Sequence, residues 1–204
     1  FAMILRRALL VLALAAPALA WGQTPEPAER IARLSYVEGR VEFQAADEPV
    51  SSALPDRPLV PGDRISTERD SRLELALGTA TLRLDQYSEL TIVDLDETTV
   101  RVELANGSAT VNLTELYEDE TFEIVTPNTT ITLDEPGEYR TDVYGEHTTA
   151  FTVRQGGASV DAEGGLLRVA TGQRVVLDGR DAEASLESPR SADAFDDWVL
   201  EREL

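Results

Sequence analysis

From Ile31 to Leu186 the chain alternates apolar and polar residues with a period of two. Leu73, Leu75 and Leu77 alternate with Arg72, Glu74 and Ala76. Gly78 interrupts the run, and Ala80, Leu82 and Leu84 then alternate with Thr79, Thr81 and Arg83. Val100, Val102 and Leu104 continue it, followed by Ala109, Val111 and Leu113, Phe122 and Ile124, Ile131 and Leu133, Phe151 and Val153, and Val175 and Leu177. This is the pattern of antiparallel strands with one buried face. It predicts roughly fifteen short strands, with turn signals about every 8–12 residues. No stretch in this range keeps a helical period for three turns. The fold class is therefore all-β: repeated short antiparallel strand pairs, sandwich- or solenoid-like, with a short C-terminal helix. Leu75 is expected inward and Glu74 outward in solvent, where Glu74→Arg would change stability by no more than about 0.5 kcal/mol.

Glycines punctuate the pattern in a repeating way. Tyr36 to Phe43, Leu104 to Val111 and Val153 to Val160 each read apolar-x-x-Gly-x-apolar-x-apolar, centred on Gly39, Gly107 and Gly156. A second echo joins Pro61-Gly62-Asp63-Arg64-Ile65 to Thr171-Gly172-Gln173-Arg174-Val175. Gly107 follows Gly39 by 68 residues and Gly156 follows Gly107 by 49, so the repeat is not a strict solenoid. The expectation is a reused β-hairpin, with Gly39, Gly62, Gly107, Gly156 and Gly172 as its structural turn residues.

The two ends of the chain differ from the middle. Arg6 and Arg7, the apolar run Ala8–Ala16 and the small-x-small Ala18-Leu19-Ala20 read as a secretory signal over residues 1–20, cut after Ala20. The run is shorter than the roughly 20 apolar residues of a membrane span, and an uncleaved anchor is the alternative. Residues 21–30 hold Gly22, Pro25 and Pro27 and read as a flexible lead-in. At the other end Ser188-Pro189-Arg190 breaks the β-pattern. Over 187–204 a linker then leads to a helix capped by Ser191, with Phe195, Trp198, Val199 and Arg202 on one face. That face is expected to pack on the β-domain, which spans 31–186. The helix leading into a further part is the alternative.

Composition narrows the function. At 204 residues the chain is long enough to bury a core, and it has no cysteine, so disulfides, thiolate nucleophiles and cysteine-based zinc sites are excluded. Export without cysteine suits a bacterial periplasm. The formal net charge of −20 makes nucleic acid and anionic membrane surfaces poor partners. All 18 basic residues are arginine, for which codon bias is a sufficient reason.

The run Ile31 to Val41, then Pro58 to Thr67 with its Leu59-x-x-Gly62-Asp63-x-Ile65-x-Thr67 spacing, then Ser71 to Leu75, resembles the FecR-domain family of bacterial periplasmic proteins. Val153 to Val160 and Val169-Ala170-Thr171-Gly172-Gln173 are similar to that family's closing pattern. The resemblance spans roughly residues 31–200. It implies an all-β domain of repeated strand pairs in the periplasm. The best-known members relay a signal from an outer-membrane receptor to a cytoplasmic sigma factor, through a cytoplasmic domain and a membrane span ahead of the FecR domain. Only seven residues precede the apolar run here, so the resemblance carries over the extracytoplasmic module alone.

Candidate chemistry is sparse. His147, the single histidine, lies on a turn, and no Gly-x-Ser-x-Gly elbow joins it to Ser35, Ser66 or Ser159. Acidic clusters occur at Asp94/Asp96/Glu97, Glu115/Glu118/Asp119/Glu120 and Asp193/Asp196/Asp197, without the spacing of a calcium loop. They read as solvated faces. No catalytic, cofactor-binding or metal-ligating residue is assigned and no cofactor is expected. The leading expectation is a non-enzymatic periplasmic binding or scaffolding module for a protein or cell-envelope partner, without a membrane span once the signal is cut. The alternative is a signalling component of an extracytoplasmic sigma-factor pathway; a hydrolase ranks third.

Overall fold

The computed structural model describes residues 32–203. The signal-like segment and the lead-in lie outside the described residues. In chain order the strands are β1 (Ala32–Glu38), β2 (Val41–Gln44), β3 (Ser51–Ser52), β4 (Pro58–Leu59), β5 (Arg64–Thr67) and β6 (Arg72–Leu77). Next come β7 (Ala80–Leu84), β8 (Glu89–Leu95), β9 (Thr99–Leu113), β10 (Thr121–Val125), β11 (Thr130–Leu133) and β12 (Gly137–Val143). The series closes with β13 (Thr148–Gln155), β14 (Gly157–Ala162), β15 (Gly165–Ala170), β16 (Gln173–Asp178), β17 (Glu183–Glu187) and the helix α1 (Ala194–Glu203). The fold is all-β with one short C-terminal helix. No described helix is long and apolar enough to cross a membrane.

The pairings resolve into two sheets that share one strand. Sheet one runs β4-β1-β6-β7-β9-β12-β13-β16-β17. Sheet two runs β3-β2-β5-β8-β9-β10-β11-β14-β15. All these pairs are antiparallel except β9 with β10. The inward side chains of both sheets form one core, among them Leu34, Phe43, Ile65, Leu75, Val102, Val111, Phe122 and Phe151. Alternation produces this directly: Leu73, Leu75 and Leu77 are all fully buried along β6.

The five glycines of the repeating pattern do more than turn the chain. Gly39, Gly62, Gly107, Gly156 and Gly172 all have positive φ, and each sits where the chain passes from one sheet to the other. The strands on either side of Gly39 and Gly156 do not pair with each other, so these are corners where hairpins were expected. Hairpins within a sheet turn instead on Gly78, Gly145, Gly164 and Gly179. Gly107 is the most constrained. Up to Asn106, β9 pairs with β8 in sheet two; from Gly107 on it pairs with β12 in sheet one. The inward set shifts phase there, from Val100, Val102 and Leu104 to Ala109, Val111 and Leu113. At Gly107, φ is +89°, and an added Cβ would fall 2.3 Å from Ser88 Oγ and 2.5 Å from its Cα. That approach lets the Ser108 N–H donate to the buried Ser88 Oγ at 2.9 Å. The same device recurs at the first corner, where the Arg40 N–H donates to the buried Ser71 Oγ at 2.8 Å beside Gly39.

Gly107→Ala combines left-handed strain with backbone overlap and is expected to cost about 3 kcal/mol or more. Gly145→Ala, also at positive φ (+68°) but with nothing within 4 Å of the added Cβ, is expected to cost about 1 kcal/mol. Urea melts of the two variants check this, and equal losses would contradict the close packing at the β9 corner.

Candidate functional site

Strand register builds a transverse row on the outer face of sheet one. Glu74 stands opposite Arg83, Arg83 opposite Thr110, and Thr110 opposite Arg140. Arg140 faces Thr152, Thr152 faces Arg174, and Arg174 faces Glu187. Tyr36 precedes the row on β1, opposite Glu74. These are outward positions of their strands, yet Arg83, Thr110, Thr152 and Arg174 are buried. The C-terminal segment covers them.

α1 begins with a reciprocal cap. The Asp193 carboxylate accepts the N–H groups of Phe195 and Asp196 at 3.0 Å each, and the Asp196 carboxylate accepts the Asp193 N–H at 3.1 Å. This is a capping box with aspartate at both positions. The cap is thus Asp193 rather than the predicted Ser191. Phe195, Trp198 and Val199 are buried, as the i, i+3, i+4 spacing predicted, and pack with Tyr36 in a cluster separate from the sandwich core. The Trp198 Nε1–H donates to Glu38 Oε2 at 3.0 Å, and the Arg202 guanidinium lies 3.8 Å from the Tyr36 ring centroid.

Ion pairs fix the helix to the row. Arg140 donates to Asp193 at 2.8 and 2.9 Å and to Asp196 at 2.7 Å, and pairs with Asp142 on its own strand at 2.9 Å. Arg154 also donates to Asp196. Toward the helix C-terminus, Arg83 bridges Glu74 at 2.9 Å and Glu203 at 3.0 Å, while Arg202 reaches Glu74 at 3.2 Å. Burial alone would lower the Arg140 pKa, but the bonds to Asp193 and the charges of Asp142 and Asp196 outweigh it and raise it. The hydrogen bond from Arg140 holds the Asp193 carboxyl down to about 2. Burial pushes Glu74 up, but bonds from Arg202, Arg83 and Ser35 bring it below its ordinary value. Glu74 is therefore an ion-pair hub under the helix and not the solvent position expected from alternation.

The two ends of the covered row differ. Near Arg83 the cover is tight, leaving a cavity of about 20 Å³ beside Thr110, whose buried hydroxyl has no hydrogen-bond partner among the described residues. Near Arg174 a groove of about 570 Å³ remains between the linker and the strands, lined by Ser108, Asp142, Tyr144, Thr152 and Arg190 among others. Arg190 closes over Tyr144, donating to its hydroxyl at 3.2 Å.

The residues weighed in the sequence fall elsewhere. His147 is exposed on the β12–β13 turn, its Nδ1 2.8 Å from the carbonyl of Glu146. Ser35 bonds Glu74, and Ser159 bonds Asp134 at 2.6 Å. Asp96 accepts the N–H groups of Thr98 and Thr99 at 2.8 Å each, which lower its pKa and close a turn. Glu115 accepts from the Tyr117 hydroxyl at 2.7 Å. Of the acidic clusters, Asp193 and Asp196 alone join the row. Its arginines lie singly on separate strands, so alternation predicts their outward direction and only the register reveals the row.

The FecR protein family model matches residues 63–158, so the resemblance to that family holds over this stretch. Two crystal structures of a candidate anti-sigma factor from Parabacteroides distasonis, at 2.50 Å and 1.65 Å resolution, are similar in fold. Each gives a TM-score of 0.56, at 17% and 16% sequence identity. Each alignment covers 67% of this chain and 63% or 64% of the other, so the match spans under two thirds of those proteins. No curated protein matches the chain.

Two outcomes follow for the helix, read from Trp198 emission with the chain's other tryptophan, Trp21, replaced by Phe. Arg140→Ala leaves Asp142 and Asp196 buried without their main partner and is expected to cost about 3 kcal/mol, with a red shift of Trp198. The Asp193 and Glu74 carboxyls are depressed in the folded state, so their contribution is complete above about pH 4, the ordinary carboxylate range. It is lost as the pH falls toward about 2, the Asp193 value. Trp198 is expected to redden over that window; a flat emission between pH 4 and 2 would contradict the ion-paired docking.

Proposed function

We propose that the chain is a non-enzymatic binding module that docks a protein partner in the bacterial envelope. The observation that carries this reading is the edge strand β15, which ends sheet two. One side pairs with β14; no strand among the described residues pairs with the other. Sheet edges ordinarily carry charges that block pairing. β15 reads Gly-Leu-Leu-Arg-Val-Ala, with Leu166 69% exposed and its single charge, Arg168, paired to Glu135 at 2.9 Å. It is an apolar edge on a strongly acidic protein, suited to strand addition by an extended partner segment. The acidic remainder favours a partner with a basic flank, whose association weakens with salt.

A second reading makes the module a signalling component of an extracytoplasmic sigma-factor pathway. It is supported by the FecR match and by the description of the structural neighbours as candidate anti-sigma factors. Under it, the partner at β15 is a component of the relay, and the segment at residues 1–20 supplies the export to the periplasm that both readings require.

A photo-crosslinking residue at position 166 is expected to capture one defined envelope protein, and the same residue at Ser51, on the opposite edge strand β3, is not. Leu166→Asp should reduce co-purification of that protein at least tenfold without changing the melting temperature. Equal capture at both positions would contradict docking at β15. Turnover on any substrate that vanishes in His147→Ala would overturn the non-enzymatic reading. A sigma-dependent reporter that responds to deletion of the chain and to Leu166→Asp would favour the second reading.

A further inference from the structure

The arginine row and its cover are a separate surface from the β15 edge. Its ion pairs are short and hydrogen-bonded around Arg83 and Arg140, and long around Arg174. α1 brings Asp193 and Asp196 to Arg140 and Arg154, and Glu203 to Arg83. It brings no carboxylate to Arg174. That guanidinium is only 2% exposed, and its Nε and Nη2 make no hydrogen bond among the described residues. Its Nη1 donates to Thr152 Oγ1 at 3.3 Å, and Asp142 and Glu187 stand off at 3.5 and 3.6 Å. A buried guanidinium ordinarily has its donors bonded, because leaving them unmade forfeits hydration without replacement. The groove beside Arg174 is lined by the linker Pro189-Arg190-Ser191-Ala192, which brings a cation, and by Asp85, Asp142, Asp193 and Asp196, of which Asp142 is the one paired with Arg174.

The cover is also built to separate. α1 has ten residues, below the length at which a helix is stable by itself in water. Its apolar cluster is distinct from the sandwich core, so release exposes Phe195, Trp198 and Val199 while leaving the core closed. Beside the Trp198–Glu38 hydrogen bond and the Arg202–Tyr36 contact, the rest of its hold is ion pairs, which salt and acid weaken.

We propose that the arginine row is a docking site for an acidic, aromatic helical segment of a protein partner, and that residues 189–203 are its resident competitor. Charge complementarity selects that occupant. Glu74, Asp85, Asp142 and Glu187 share this face with Arg72, Arg83, Arg140, Arg154 and Arg174, and the carboxylates of Asp193, Asp196 and Glu203 complete the pairing of Arg140, Arg154 and Arg83, so a segment that replaces the tail must bring acids to the same arginines. A partner segment with a carboxylate positioned for Arg174 satisfies donors that the tail leaves unmade. The tail of a second copy would leave them unmade equally and gains nothing by exchange. Because the tail is tethered by a few residues, its effective concentration at the row is of order millimolar, and this sets the threshold that a partner segment must exceed.

The probes are two fluorescein-labelled peptides, one with the sequence of residues 189–203 and one with the acidic change Ala192→Glu. The full-length protein is used as wild type and as the double variant Asp196→Ala, Trp198→Ala, which unseats its own tail. The first peptide is expected to bind the double variant at least tenfold more tightly than wild type, and binding should be lost when Arg140→Glu is added. The second should bind several-fold more tightly than the first, with that gain absent in Arg174→Leu. In wild type, excess peptide should speed tryptic cleavage after Arg190 and Arg202, a measurement that needs no destabilised variant. The proposal is overturned by a double variant of unchanged circular dichroism that binds no peptide, by binding that survives Arg140→Glu, or by cleavage that peptide does not accelerate. It is also overturned if light scattering shows the wild type exchanging tails as a dimer, which would make a second copy the occupant.

Discussion

A strand that serves two sheets must turn through a residue without a side chain. At Gly107, β9 leaves β8 for β12, and the backbone passes so close to Ser88 that a Cβ has no room. This one approach makes two sheets out of a single strand series and sets their inner faces together around one core. The Ser88 hydroxyl replaces the ladder bond that the corner interrupts, since a backbone N–H left unpaired at this depth would destabilise the fold. The Gly39–Ser71 corner repeats the solution, so the architecture rests on one local device used more than once.

The position of the row follows from that geometry. With both inner faces occupied by apolar residues, every arginine on sheet one is directed outward, and the register of eight strands aligns Tyr36, Glu74, Arg83, Thr110, Arg140, Thr152, Arg174 and Glu187. Outward arginines ordinarily reach solvent. Here the linker and a ten-residue helix cover them, and Asp193, Asp196 and Glu203 add ion pairs to those of the sheet's own acids. Buried ion pairs of this kind give little net stability, because desolvation offsets attraction, but they impose one seating, since any other leaves a charge unpaired. The helix is thus specified more strongly than it is stabilised, which is the property expected of an element that comes off.

The all-β class, the inward leucines of β6 and β7 and the helix face at Phe195, Trp198 and Val199 were legible from periodicity, because burial on one side imposes it. The pattern at Gly39, Gly107 and Gly156 was legible too, but not its meaning. A hairpin turn and a sheet-changing corner both require positive φ, and only long-range pairing separates them. The burial of Glu74 escapes the pattern for a related reason: alternation tells which face a residue occupies and not what lies over that face. The row itself was illegible, because its members are up to 113 residues apart, from Glu74 to Glu187, and are joined only by register. Asp193 as the cap could have been found, since Asp193 and Asp196 have capping-box spacing and Ser191 lacks an acid three residues on.

The central claim is that the C-terminal segment is a separately releasable occupant of the row, held by charge on a sandwich that stands closed without it. Hydrogen–deuterium exchange of the intact protein at neutral pH, at low and high salt, tests this most directly. The account predicts that the amides of residues 194–203 exchange orders of magnitude faster than those of β9, and that salt accelerates them while β9 stays protected. Exchange of α1 as slow as that of β9 at both salt concentrations would mean that the helix leaves only when the whole protein unfolds, and would contradict the account.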